Sequence, residues 1–171
     1  MAYLTAAVVL VGVLCVLNLT LTLAVIRRLR ERGDGHSPSP SLPVALKPGS
    51  RPAAFTATTT AGEQVSAESL TGLVGFFSAG CEPCHALLPH FVERAKEMGR
   101  DNVLAVIGGD GDEELVAALA PAARVVVEDH DGAVANAFQN TWSPTVFLIG
   151  PDHAVVAAGG RMDDLPLGSA V

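Results

Sequence analysis

The sequence predicts an α/β domain built on a mixed β-sheet, carried behind one transmembrane helix. Three features lead there. Residues 1–26 hold no charged side chain and 21 of those 26 are apolar, whereas the rest of the chain has the mixed composition of a water-soluble domain. Beyond residue 55, apolar runs of strand length alternate with stretches of helical periodicity, in the order βαβαβ followed by ββ. The central strand runs are solidly apolar, as strands covered on both faces must be.

Residues 4–26 form a run of 23 uncharged residues. A helix of that length reaches ~34 Å, enough to span a hydrocarbon core of about 30 Å with a modest tilt. No Lys or Arg precedes the run, and Arg27, Arg28, Arg30 and Arg32 follow it, which describes a retained anchor better than a cleaved signal peptide. Residues 1–32 are therefore expected to be a membrane anchor with a basic flank. Gly33, Gly35, Pro38, Pro40, Pro43, Pro48 and Gly49 then interrupt any regular element, so residues 33–51 are expected to be a linker and 52–171 the domain.

Within the domain, residues 55–60 and 64–66 flank Ala61-Gly62 as a hairpin. Residues 73–78 are a strand. Residues 82–98 place Leu87, Leu88, Phe91, Val92, Ala95 and Met98 at helical spacing. A strand at 102–107, a helix at 112–120 with acidic residues at its start, a strand at 124–127 and a short helix at 132–138 follow. Strands at 145–149 and 154–158 close the chain around Gly150-Pro151-Asp152. The tail beyond Arg161 is too short and broken for a good helix, which leaves the sheet partly uncovered or leaning on a partner.

The charge balance excludes partners. The chain carries 11 Lys+Arg against 18 Asp+Glu, and beyond residue 35 the balance is 7 against 16. A net charge of −9 over that part gives no attraction to nucleic acid or to anionic lipid. The acidic cluster Asp110, Asp112, Glu113 and Glu114 lacks calcium-loop spacing and reads as a helix start, and His90, His130 and His153 show no ligand spacing and read as surface residues.

The chemistry concentrates at Cys81-Glu82-Pro83-Cys84, where the strand 73–78 hands over to the helix 82–98. A thiol at a helix N-terminus faces unpaired N–H groups and the positive end of the helix dipole, which favour the thiolate. The spacing lets the second sulfur reach the first, so a mixed disulfide with a client can be resolved from within. Cys81, nearer the helix start, is the expected attacking thiolate, and Cys84 the resolving thiol. Cys81-Glu82-Pro83-Cys84-His85 also matches the c-type haem attachment pattern. A zinc site lacks further cysteine ligands in the soluble part.

The strand–CxxC–helix context, Pro89, and Thr141-Trp142-Ser143-Pro144-Thr145 before an apolar strand together resemble the thioredoxin superfamily. Pro48-Gly49-Ser50-Arg51-Pro52-Ala53-Ala54-Phe55, the Ala61-Gly62 turn, Phe76-Phe77-Ser78-Ala79-Gly80-Cys81 and residues 142–149 resemble the membrane-tethered TlpA/ResA group and MauD-like accessory proteins. The resemblance implies a thioredoxin-like three-layer sandwich with a mixed sheet, a cis Ser143–Pro144 bond beside the disulfide, and an extended client segment lying along the backbone of Ser143. Trp142, Ser143 and Pro144 would then line the client groove, and Pro89 would kink the active-site helix.

Several positions depart from the group. Leu87 stands where many members carry a glutamate that helps deprotonate the resolving thiol, and Gly80 replaces a tryptophan often found before the first cysteine. Glu82, Pro83 and His85 are the tuning positions: Glu82 opposes a thiolate at Cys81 and a protonated His85 favours it.

The expected function is a membrane-anchored thiol–disulfide oxidoreductase, with protein disulfides as clients, a membrane electron donor, and no cofactor or metal beyond the Cys81–Cys84 pair. The competing readings are a c-type cytochrome, a peroxiredoxin-like thiol peroxidase, for which Val74 stands where a proline is expected, and a non-catalytic assembly factor. The resemblance implies an extracytoplasmic domain, whereas the arginine flank argues for the cytoplasmic side.

Overall fold

The computed structural model describes Gly12, Asn18 and residues 46–166. The chain divides into two units, Met1–Pro38 and Ser39–Val171, and the fold described is that of the second. Among the described residues no helix is long and apolar enough to cross a membrane, and apart from Gly12 and Asn18 the expected span 4–26 lies outside them.

Among the described residues of this unit, seven strands and three α-helices follow one another as β1 (Thr56–Thr58), β2 (Gln64–Ser66), β3 (Gly72–Ser78), α1 (Glu82–Met98), β4 (Val103–Gly108), α2 (Glu113–Leu119), β5 (Arg124–Glu128), α3 (Ala133–Ala137), β6 (Thr145–Ile149) and β7 (Val155–Gly159). Five strands form one sheet in the order β5-β4-β3-β6-β7. The pairs β3–β4 and β4–β5 are parallel, and β3–β6 and β6–β7 antiparallel, so the sheet is mixed, with β3 at its centre. The two parallel pairs follow from the helical crossovers α1 and α2, and the antiparallel pair β6–β7 from its tight turn.

Alternation along the central strands sends side chains to opposite faces. Leu73, Phe77, Val103, Ala105 and Ile107 meet Cys84, Leu87, Phe91 and Ala95 of α1 and Leu115 and Leu119 of α2. Val74, Phe76, Leu104, Val106 and Phe147 meet α3, Phe138 and the hairpin residues Phe55 and Val65. Helices thus cover one face, and α3 with the separate β1–β2 hairpin covers the other, giving three layers. Phe138 anchors the second layer, with ring centroids 5.0 Å from Phe147, 5.5 Å from Phe76 and 6.3 Å from Phe55.

Two expectations change. Residues 46–51, assigned to the linker, are docked on the domain. Leu46 is buried and its N–H donates to the Phe138 carbonyl (3.2 Å). Gly49 N–H donates to the Val155 carbonyl (2.7 Å) and Val155 N–H to that of Ser50 (2.8 Å), so the segment pairs with the edge of β7. Proline and glycine spacing excludes a regular element but not a turn that lies along an edge strand, and Gly49, at φ +85°, makes that turn. The C-terminal stretch also covers more than expected. Met162–Asp164 form one 3-10 turn, held by Asp164 Oδ2 accepting from the N–H groups of Gly160 and Arg161 (3.0 Å each), and Leu165 is buried in the α1 and α2 layer.

Candidate functional site

The centre of β3 runs straight at the start of α1. Strand β3 ends at Ser78, and Gly80, at φ +67°, turns the chain so that Cys81 becomes the N-cap of α1. Pro83 occupies the first turn, where its missing N–H leaves no bond unmade. The Cys81 Sγ accepts from the Cys84 backbone N–H (3.2 Å), and the Cys81 carbonyl accepts from the N–H groups of Cys84 (2.9 Å) and His85 (3.3 Å). A sulfur at this position therefore sits where the unpaired helix donors point.

Cys81 and Cys84 form a disulfide, with Cα atoms 5.2 Å apart. The two sulfurs have unequal surroundings. Cys84 is 0% exposed and packs with Leu87 and Phe91, whereas Cys81 is only partly buried. Glu82, Pro83 and His85 are exposed on the first turn, and Leu87, 7% exposed, belongs to the core beneath Cys84. Helix α1 continues through Pro89, which lacks the N–H that would bond the His85 carbonyl.

The β3–β6 register brings the second part of the site to the same end of the sheet. Thr145 pairs with Phe76 in an antiparallel ladder, so the residues before Thr145 run alongside those after Phe76, toward the turn that carries Cys81. The Ser143–Pro144 bond is cis. Pro144 is buried and Ser143 half-buried, while Trp142 is 61% exposed. Two residues without an expected role hold this loop. The Trp142 carbonyl accepts from Asn140 Nδ2 (2.9 Å) and from Thr145 Oγ1 (2.8 Å), and both residues are buried. A polar pair flanking Trp-Ser-Pro is the only sequence signal that could have pointed to them.

Other residues resolve as structural. Both carboxylate oxygens of Glu128, at the end of β5, accept from the start of α3, at Val134 N–H (3.0 Å) and Ala135 N–H (2.8 Å). Asp112 caps α2 through Glu114 N–H (2.9 Å) and Leu115 N–H (3.2 Å), in line with a helix start. His153, expected at the surface, is half-buried, with Nδ1 3.0 Å from the Leu70 carbonyl. Among the described residues no group of three His, Cys, Asp or Glu side chains is placed to hold a metal ion.

The five-stranded mixed sheet, the disulfide at the start of α1 and the cis proline before β6 define a thioredoxin-like fold. Solved structures share it. The thioredoxin domain of a thiol-disulfide oxidoreductase from Bacteroides vulgatus is 24% identical, with a TM-score of 0.55 over 71% of this chain and 94% of that one. StoA from Bacillus subtilis is 23% identical, with a TM-score of 0.52 over 65% and 90%. A thio-disulfide isomerase from Thermus thermophilus is 19% identical, with a TM-score of 0.55 over 74% and 100%. No family model matches the chain, and no curated protein matches it.

Proposed function

We propose that this chain is a thiol–disulfide oxidoreductase acting on disulfides of protein clients through Cys81 and Cys84. The observation that carries the reading is the asymmetric disulfide at the start of α1, with Cys81 at the N-cap and Cys84 at 0% exposure. In the reduced protein the Cys81 thiolate attacks one sulfur of a client disulfide, and the other client sulfur leaves as a thiolate. Cys84, as thiolate, then attacks Cys81 Sγ, the client's second sulfur leaves, and the Cys81–Cys84 disulfide forms. Two electrons pass from the pair to the client. A dithiol donor returns them by the same exchange in reverse.

In the finer reading the protein is a TlpA/ResA- or MauD-like factor. Residues 4–26 anchor it, the redox domain is extracytoplasmic, an integral membrane partner supplies the electrons, and the client segment lies along Trp142, Ser143 and Pro144. Supporting this are the uncharged N-terminal run and the thiol–disulfide proteins that share the fold. Among the described residues no observation favours haem attachment, peroxide reduction or non-catalytic assembly. His85 is exposed on the helix, while the Cys84 sulfur is enclosed by the core.

Reduction of insulin disulfides by the full-length protein in mild detergent tests the activity. Turnover that disappears in Cys81→Ser supports it, and turnover unchanged in Cys81→Ser refutes it. Cys84→Ser is expected to accumulate a mixed disulfide on Cys81 that identifies the client. Labelling of an engineered surface cysteine by an impermeant reagent in whole cells tests the topology, and absence of labelling overturns the extracytoplasmic placement.

A further inference from the structure

A cavity of about 120 Å³ opens beside the cis-proline loop, between the ends of β4 and β5 and the residues before β6. Its polar lining includes Glu128, Asp129, His130, Asn140, Trp142 and Ser143, and neither lysine nor arginine lines it. Asn140 is 5% exposed, its Nδ2 is committed to the Trp142 carbonyl, and its Oδ1 is buried with no partner. A buried acceptor without a donor costs about 1–3 kcal/mol, so a donor that reached this oxygen on binding would be favoured. Two carboxylates line the same cavity. Glu128 is engaged by α3 through both its oxygens, and Asp129 is exposed. The exposed Trp142 indole supplies an aromatic wall. Glycine at 108 leaves room for the His130 ring, since a Cβ there would lie 3.0 Å from its Nδ1.

We propose that this cavity is a subsite for a cationic side chain, arginine or lysine, of the client segment that lies along Ser143 and Pro144. The inference rests on the oxidoreductase reading and adds a sequence preference to it. The lining offers acceptors and negative charge, so the complementary group is a cationic donor. A guanidinium plane stacks on an indole face while its N–H groups reach carboxylate and amide oxygens. The position beside the client strand places that side chain a residue or two from the attacked cysteine. The net charge of −9 beyond residue 35 steers basic segments toward the domain.

Trp142 is the only tryptophan in the chain, so its fluorescence reports on the cavity directly. The full-length protein in non-ionic detergent at pH 8 is titrated with three cysteine-free hexapeptides that are identical except for one position, occupied by arginine, citrulline or glutamate. The expected result is a saturable change in Trp142 emission with the arginine peptide, with affinity about tenfold weaker for citrulline and weaker still for glutamate. Asp129→Asn is expected to remove most of the preference for arginine over citrulline. Equal affinity for the arginine and citrulline peptides, or no saturable change with any of them, overturns the subsite. Exchange rates with a second set of the three peptides, each extended by one cysteine held in a disulfide, are read separately. Absence of Cys81-dependent exchange refutes the oxidoreductase reading, whereas unselective binding refutes only the subsite.

Discussion

Gly75→Ala is expected to damage the seat of helix α1 more than its size suggests. Gly75 lies mid-strand in β3, paired with Ala105 on one side and Val146 on the other, so its backbone has no freedom to retreat. A Cβ there would stand 2.5 Å from Phe91 Cε2 and 2.9 Å from both Phe91 Cζ and Phe77 Cε2. Carbon atoms pack at about 3.5–4.0 Å, so the neighbours must yield by roughly an ångström. Neither ring has space to do so. Phe91 is 0% and Phe77 1% exposed, and the two meet edge-to-face with centroids 5.1 Å apart. The movable element is α1 itself, and overpacking of this kind costs about 1–3 kcal/mol. Phe91→Leu alone is expected to cost about 1 kcal/mol, because one hydrophobic shape replaces another. In the double variant the smaller side chain makes room for the new methyl, so the two losses are expected to fall short of additivity by at least about 1 kcal/mol. Urea unfolding followed by Trp142 fluorescence measures all four proteins. Additivity within about 0.5 kcal/mol, or a neutral Gly75→Ala, would refute the packing argument.

Four further outcomes follow from the same structure. Glu128→Ala is expected to lower stability by about 1–2 kcal/mol, since it leaves the N–H groups of Val134 and Ala135 without their acceptor, and Glu128→Gln by less, both read from unfolding midpoints. Asp112→Ala, which uncaps α2, is expected to cost about 1 kcal/mol in the same assay, and no loss would contradict its role as cap. Arg100→Ala, which breaks the exposed pair with Glu63 (3.0 Å), is expected to shift stability by less than about 1 kcal/mol. In the reduced protein, limiting iodoacetamide is expected to label Cys81 well before Cys84, as peptide mapping would show, because Cys84 is enclosed; equal labelling would contradict the asymmetry.

The strands and helices of the large sheet were legible because each apolar run carried its own period. Residues 82–98 alternate at helical spacing, and α1 has those bounds. The run at 146–149 is apolar throughout, and β6, from Thr145 on, is buried at every position. Gly75 was not legible in this way. Within an apolar strand it reads as a gap, and only the position of Phe91, sixteen residues later, shows that the gap is a seat. The docking of residues 46–51 was hidden for a related reason, since backbone pairing with β7 leaves no hydrophobic pattern behind. At the site, the cysteine pair announced itself by spacing. Asn140 and Thr145 did not, because what they hold is a backbone carbonyl, which no sequence motif displays.

The inequality of the two sulfurs follows from helix geometry rather than from particular neighbours. Cys84, Leu87, Phe91 and Ala95 succeed one another at intervals of three and four residues, so they share one stripe of α1, and the sheet requires that stripe to be buried. Cys81 stands one turn before the stripe begins, at the N-cap, where the backbone has not yet become helical and the chain is arriving from β3. The spacing that lets the sulfurs bond is therefore also the spacing that encloses one and leaves the other reachable. On the proposed reading, resolution needs no large motion. Cys84 lies enclosed while Cys81 is partly exposed, so the client sulfur of the proposed reaction would meet the outer atom of the pair.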